Sequence, residues 1–245
     1  MSNNAMVAVC DILGFSSLVK SCSLIELKDL HMKNIRTLMK SSINSFGENI
    51  ESPTPREVFQ GDLVGHTVFS DTLILFSLSD DRDGYRNVLN AVYRLICMPM
   101  FTPIYKFRVG ISYGEFYHNK NESIYIGKAL AEASDLEKCQ QWSGAALTEV
   151  AANIFKDKYP ENSILVDYEV PVMLASEIAN RKYSVVNWTL ANHPVIQEKH
   201  NWMYREEDNS KVHSYSNKDV EQKILNSEAF HTNICSQCKE PRNRA

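Results

Sequence analysis

The chain has 245 residues, of which 44% are hydrophobic and 23% charged, enough for one α/β core with an appendage or for two small domains. Its formal net charge of −4 excludes the basic footprint of a general nucleic-acid binder. No stretch approaches the roughly 20 consecutive apolar residues of a membrane helix, and the opening MSNNA lacks the charged and apolar regions of a signal peptide, so a cytoplasmic protein with no membrane partner is expected.

The first element is a strand, Met6 to Phe15 (MVAVCDILGF), in which a small apolar run ends in Asp11 and then a glycine turn. An acid at the mouth of a buried strand demands a cation, a base or a helix N-terminus, because an unpaired buried carboxylate is costly. Gly14 and Ser16 let the chain turn and begin a helix whose first amides are free to hold phosphate; an aspartate that only caps that helix gives the same pattern. Leu24, Leu27, Ile35, Leu38 and Phe46 share one side of a helix from about Leu24 to Phe46, with His31 in the stripe as a core or interface histidine. Gly47 to Pro55 is a loop by its turn residues.

Two runs, Val58 to Phe69 and Thr72 to Leu78, form a β-hairpin with a second acid, Asp71, at its bend. Gly61 and Asp62 offer a rival glycine–acid pair, but it lacks the apolar run that follows Asp71. After the polar break SDDRDG, the residues Tyr85, Val88, Leu89, Val92, Leu95 and Ile96 recur at helical spacing, and Pro99 and Pro103 close that helix. Tyr105 to Tyr113 alternates with Lys106, Arg108, Gly110, Ser112 and Gly114, a period-two strand whose second face admits a close neighbour. A short strand, Ser123 to Ile126, reaches Gly127, and a helix follows to about Gln141.

This order predicts an α+β core with a mixed, mostly antiparallel sheet and its helices on one face. Residues 1–150 form that core; residues 151–245 are an extension that completes the domain or supports a dimer, with a tail free to flex. Within it, Ile164 to Val172, Tyr183 to Leu190 and Trp202 to Tyr204 are candidate strands and Lys218 to Leu225 a candidate helix. Cys10, Cys22, Cys97 and Cys139 lie in apolar periodic segments and read as reduced thiols, whereas Cys235 and Cys238 form a CxxC with no second pair to complete a zinc site. Trp142, Trp188 and Trp202 read as core or dimer contacts.

Asp11 and Asp71 both follow apolar strands and precede turns, so neighbouring strands would bring them together. Two such carboxylates repel unless a divalent cation lies between them, and an oxygen-only site suits Mg²⁺ or Mn²⁺ completed by water and substrate phosphates. The chemistry implied is phosphoryl or nucleotidyl transfer with two ions.

The segments VAVCDILGFSS, VFSDTLILF, FRVGISYGEF and YIGKALAEASDLEK resemble, in that order, motifs of class III nucleotidyl cyclases, which have a ferredoxin-like core. The resemblance covers roughly residues 6 to 142. It implies that Asp11 and Asp71 are metal ligands with the Ile12 carbonyl, that the backbone of Leu13, Gly14, Phe15 and Ser16 holds the triphosphate, and that a homodimer places each substrate between two chains. Thr67 and Ile124 stand where purine cyclases carry their base readers, and Ala131 and Asp135 where the family has its asparagine and arginine. Loss of the purine readers with both acids kept resembles the bacterial pyrimidine cyclases of Pycsar anti-phage defence. That branch makes cyclic UMP or cyclic CMP, from UTP first and CTP second, for a separate effector. Thr67, Ile124, Tyr125 and Phe15 are base-pocket candidates; Arg108, ahead of Lys128 and Arg56, is the candidate cation for catalysis. The alternatives are a degenerate cyclase domain that binds nucleotide or a partner, and a purine or diguanylate-type enzyme with unfamiliar base readers.

Overall fold

A computed structural model describes residues 4–30, 42, 63–100, 106–190 and 218–239. His31, Arg56, Gly61, Asp62 and Trp202 lie outside these, as do most of the anticipated 24–46 helix and the candidate strand at 202–204. The chain opens with β1 (Asn4–Ile12), α1 (Phe15–Ser21) and α2 (Leu24–Leu30). β2 (Gly65–Phe69) and β3 (Thr72–Phe76) form the hairpin, and α3 (Arg82–Met100) leads to β4 (Phe107–Glu115). A small second sheet, β5 (Tyr117–Asn119) with β6 (Ile124–Ile126), precedes α4 (Lys128–Cys139). The order then runs β7 (Gly144–Leu147), α5 (Glu149–Lys158), β8 (Leu165–Leu174), β9 (Glu177–Val186) and, after a 3₁₀ turn at Trp188–Leu190, α6 (Lys218–Lys239).

Seven strands make one sheet in the order β2-β3-β1-β4-β7-β9-β8, with β4 and β7 parallel and every other pair antiparallel. The first four strands, β2-β3-β1-β4, have the ferredoxin-like order, and the mixed, mostly antiparallel α+β character is as the sequence pattern predicts.

Alternation along β1 divides the core. Met6, Ala8, Cys10 and Ile12 face a large apolar cluster with Val88, Leu89, Val92 and Leu95 of α3 and Ala151 and Phe155 of α5. Ala5 and Val7 face the other way, with Phe76, Phe116 and Ala129 of α4. The expectation of helices on one face is therefore corrected: α4 lies on the opposite face from α3 and α5. Gly110 permits this, since a Cβ there would meet the Ala133 carbonyl oxygen and the Glu137 amide. Helix and strand backbones approach where no side chain intervenes.

Asp81 begins α3 by accepting from the Gly84 amide at 2.8 Å. The helix continues through Pro99 rather than ending before it. Trp142 packs against Tyr168 and Phe230, and Trp188 against Phe230, so both tryptophans are core residues. Ser227 of α6 accepts from the Ser143 amide at 2.7 Å, which ties the last helix to the start of β7. Among the described residues, no helix is long and apolar enough to cross a membrane.

Candidate active site

β1 sends its backbone hydrogen bonds alternately to its two neighbours. Odd residues bond to β4, as the Leu13 amide does to the Lys106 carbonyl at 2.9 Å; even residues bond to β3, as Met6 does in accepting from the Ser77 amide. Ile12 therefore turns its carbonyl toward the β3 side. Continuing the register from Cys10 opposite Leu73 puts Asp71 across from Ile12. The β2–β3 turn has two central residues, Ser70 and Asp71, and only Ser70 has positive φ, 57°, the pattern of a II′ turn in which glycine is the usual first residue. This tight turn carries Asp71 back over the end of β1.

The Asp11 and Asp71 carboxyls lie close enough for each to act on the other. Burial pushes the Asp11 carboxyl up from 3.8 to about 7, with the negative charges of Glu137 and Asp71 acting the same way and Arg108 opposing them. Arg108, opposite Asp11 in the β1–β4 register, places Nη2 3.7 Å from Asp11 Oδ2. Its other contacts are shorter: Nε to Glu137 Oε1 at 2.5 Å and Nη1 to the Gln140 carbonyl at 3.1 Å.

Among the described residues, no group of three or more His, Cys, Asp and Glu side chains gathers to hold a metal. Asp11 and Asp71, with the Ile12 carbonyl turned toward the same strand edge, are oxygen donors of the kind that suits a hard divalent cation, which takes its remaining ligands from water and phosphate. A cation between the acids would favour the charged form of Asp11, which burial and the neighbouring negative charges oppose.

Gly14 takes φ of 78°, a left-handed conformation that makes the turn into α1. Leu13 spends its amide on Lys106, whereas Phe15 and Ser16, in the first turn of α1, have no acceptor within the helix. Of the base-pocket candidates, Phe15 opens α1 beside the acid end, while Thr67 and Tyr125 lie elsewhere. Thr67 is opposite Ile74, and Ile74 packs with Tyr125 and Phe76. The Phe76 ring lies 6.2 Å from Tyr125 and 4.5 Å from His118. Ile124 alternates to the other side of β6 and is 37% exposed. Phe76 is registered against Val7, roughly 13 Å along β1 from Asp11, whereas Thr67 is aligned through Ile74 with Val9, roughly 7 Å along β1 from Asp11.

Ala131 and Asp135 lie on the exposed side of α4. Lys128 pairs with Glu115 at 3.4 Å on the surface, roughly 13 Å along α4 from Glu137.

Two residues near the acids were not singled out from the sequence. Glu137 falls in the buried stripe of α4 with Ala129, Ala133 and Leu136, and an acid in that stripe was the available signal. Lys106 is 1% exposed, and burial lowers its amine from 10.5 to about 7. It follows residues outside the described set and carried no such mark.

No family model matches the chain, and no curated protein matches it. In structure it is similar to the catalytic core of a rhodopsin-guanylyl cyclase with converted specificity, solved in complex with ATPαS, with a TM-score of 0.53 and 13% identity over 76% of this chain and 96% of that one. It is also similar to an adenylate cyclase from Trypanosoma brucei in its monomeric state, with a TM-score of 0.52 and 10% identity over 75% of this chain and 89% of that one. The likeness at these identities is one of architecture: the chain has the catalytic-core fold of class III nucleotidyl cyclases.

Proposed function

We propose that the protein is a metal-dependent nucleotide cyclase that closes a pyrimidine nucleoside triphosphate, UTP before CTP, to the 3′,5′-cyclic nucleotide with release of pyrophosphate. The observation that carries the reading is the closeness of Asp11 and Asp71, two acids 60 residues apart in sequence. In the reaction the ribose 3′ oxygen attacks the α-phosphorus in line, its proton leaves, and the bond to the β-phosphate oxygen breaks. Bound Mn²⁺ or Mg²⁺, two per site, would lower the pKa of the attacking hydroxyl and offset charge on the departing pyrophosphate.

Asp11, Asp71 and the Ile12 carbonyl hold the cations. The backbone at Gly14, Phe15 and Ser16 faces the phosphates, with Leu13 fixing the loop through Lys106. Arg108, paired with Glu137, stands behind Asp11. Thr67, Ile124 and Tyr125 wall the base, from the second chain of a homodimer. Support for that homodimer comes from apolar side chains left exposed, Phe69 at 83% beside the hairpin turn and Ile126 at 59% on β6. The absence of a charged or amide side chain at Thr67 and Ile124 favours a pyrimidine over a purine, whose readers hydrogen-bond the base edge. On the resemblance to Pycsar enzymes, the product is a messenger for a separate effector in anti-phage defence.

Incubation with Mn²⁺ and each of the four ribonucleoside triphosphates, followed by separation of products, tests the reading. Cyclic UMP or cyclic CMP from the wild type, and none from Asp11→Ala or Asp71→Ala, is the expected result. A cyclic purine product overturns the pyrimidine assignment. One observation favours a second reading, a nucleotide-binding domain without turnover: the helix positions of the family's asparagine and arginine hold Ala131 and Asp135. Nucleotide binding with no cyclic product from any triphosphate supports that reading instead.

A further inference from the structure

Two carboxylates and a main-chain carbonyl converge on one guanidinium, and they do not share it equally. Arg108 turns its Nε edge to Glu137 Oε1 at 2.5 Å and gives Nη1 to the Gln140 carbonyl at 3.1 Å. Its remaining Nη2 stands 3.7 Å from Asp11 Oδ2, within ion-pair range and beyond a hydrogen bond. Glu137 is 4% exposed on the strand-facing stripe of α4, held there by the close packing of that helix on Gly110.

A buried acid at such a position needs a reason, because it adds negative charge beside two acids that already repel. The reason lies in what an unanchored Arg108 would do. A guanidinium matches a carboxylate as a two-pronged fork, and without Glu137 the nearest carboxylate for Arg108 is Asp11. The arginine would then occupy the oxygens, and cancel the charge, on which a cation depends. With Glu137 present, the ion pair is neutral in itself and the guanidinium turns its shorter contacts away from Asp11.

We infer that Glu137 is a positioning residue that anchors Arg108 and cancels its charge, so that Asp11 and Asp71 keep open the oxygens that receive a divalent cation. The inference rests on the proposed role of Asp11 and Asp71 as cation ligands and adds to it what keeps those ligands available. Gln140 serves the same anchor through its main-chain oxygen.

The test is a titration of the full chain with Mn²⁺, with free ion followed by electron paramagnetic resonance and melting curves run alongside. Wild type binds, and Asp11→Asn removes the binding. Glu137→Gln weakens binding about tenfold or more, since Arg108 becomes an unneutralised competitor. Arg108→Gln binds as tightly as wild type or more so, and the double variant Glu137→Gln/Arg108→Gln returns to within about threefold of wild type. A residue that only supported packing would give no such recovery. If Glu137→Gln does not fold, the double variant, which buries neither charge, and Glu137→Asp, which keeps the anion, carry the test. A folded Glu137→Gln that binds like wild type, or a folded double variant more than about tenfold weaker than wild type, overturns the inference. Wild type that binds no Mn²⁺ through Asp11 overturns the ligand reading, and this inference with it.

Discussion

The two ends of one sheet face are built on opposite principles. At one end, Asp11, Asp71, Arg108 and Glu137 are charged, largely enclosed and partnered within the chain. At the other, Phe76, Tyr125, His118 and Phe116 form an aromatic group, with the exposed Ile126 next to Tyr125 on β6. The acid end gathers like charges in a half-buried place, whereas the aromatic end borders exposed apolar surface. The difference is what the proposed homodimer calls for, with the phosphates of a substrate at one half-site and its base at the other.

That contrast can be broken most severely at the acid end. Asp11→Ala or Asp71→Ala should lower cyclisation by about 10³-fold or more, because no neighbouring oxygen replaces the lost ligand. The melting temperature of the metal-free protein should not fall in Asp11→Ala at pH 8, since the repulsion among Asp11, Asp71 and Glu137 is relieved. A large loss of stability there would mean that Asp11 serves the fold rather than an ion.

Gly110→Ala should cost about 3 kcal/mol or more in denaturant unfolding, because the added methyl meets the backbone of α4 at Ala133 and Glu137 and neither can move alone. It should also weaken Mn²⁺ binding by displacing Glu137. At the other end, Phe76→Ala should cost about 3–5 kcal/mol, yet leave Mn²⁺ binding by the folded fraction unchanged while raising the nucleotide KM. If the two variants altered metal and nucleotide binding alike, the division of the face into two half-sites would fail.

The pH response sharpens the comparison further. Asp11 is held at about 7 in the folded chain against an ordinary 3.8, so its contribution to metal-free stability is present at low pH and is lost as pH rises from about 4 to 7. Lys106 is lowered from 10.5 to about 7, so the stability it costs in acid is recovered as pH rises from 7 toward 10.5. Metal-free melting temperature should therefore show a dip near pH 7 attributable to these two groups. Asp11→Asn should flatten its acid side and Lys106→Met its alkaline side. Saturating Mn²⁺ should also flatten the acid side, and apparent Mn²⁺ affinity should fall as pH drops below 7.

The smallest effect is expected at the hairpin. Ser70 holds a left-handed conformation that glycine adopts without steric cost, so Ser70→Gly should stabilise the protein by about 0.5–1 kcal/mol with turnover retained.

The sequence is most legible where its periodicity is strict. The alternation of Phe107, Val109, Ile111 and Tyr113, the helical spacing of Tyr85 to Ile96, and the pairing of an apolar run with an acid and a turn at both Asp11 and Asp71 are all reflected in the structure. The strand at Gly144–Leu147 was not read, because a four-residue element buried on both faces shows no alternation. The helix Glu149–Lys158 was missed with it, despite the Thr148 cap that accepts from Ala151. Lys218–Lys239 runs a full 22 residues, well past Leu225 and through both cysteines of the CxxC, since its polar positions hide a stripe made of Val220, Ile224, Ser227, Phe230 and Ile234. The side of the sheet taken by α4 could not be read from helix periodicity, because it depends on one glycine in another element. Glu137 was overlooked for a related reason: its place in the buried stripe is visible, but its partner Arg108 comes from a strand 29 residues earlier.

Crystals grown with Mn²⁺ and a non-cyclisable nucleoside triphosphate analogue, measured at the manganese absorption edge, test the central claim most directly. The account predicts anomalous peaks between the Asp11 and Asp71 carboxylates, in contact with the phosphates. Phosphates bound with no manganese at these two residues, or manganese held by other side chains, would contradict it.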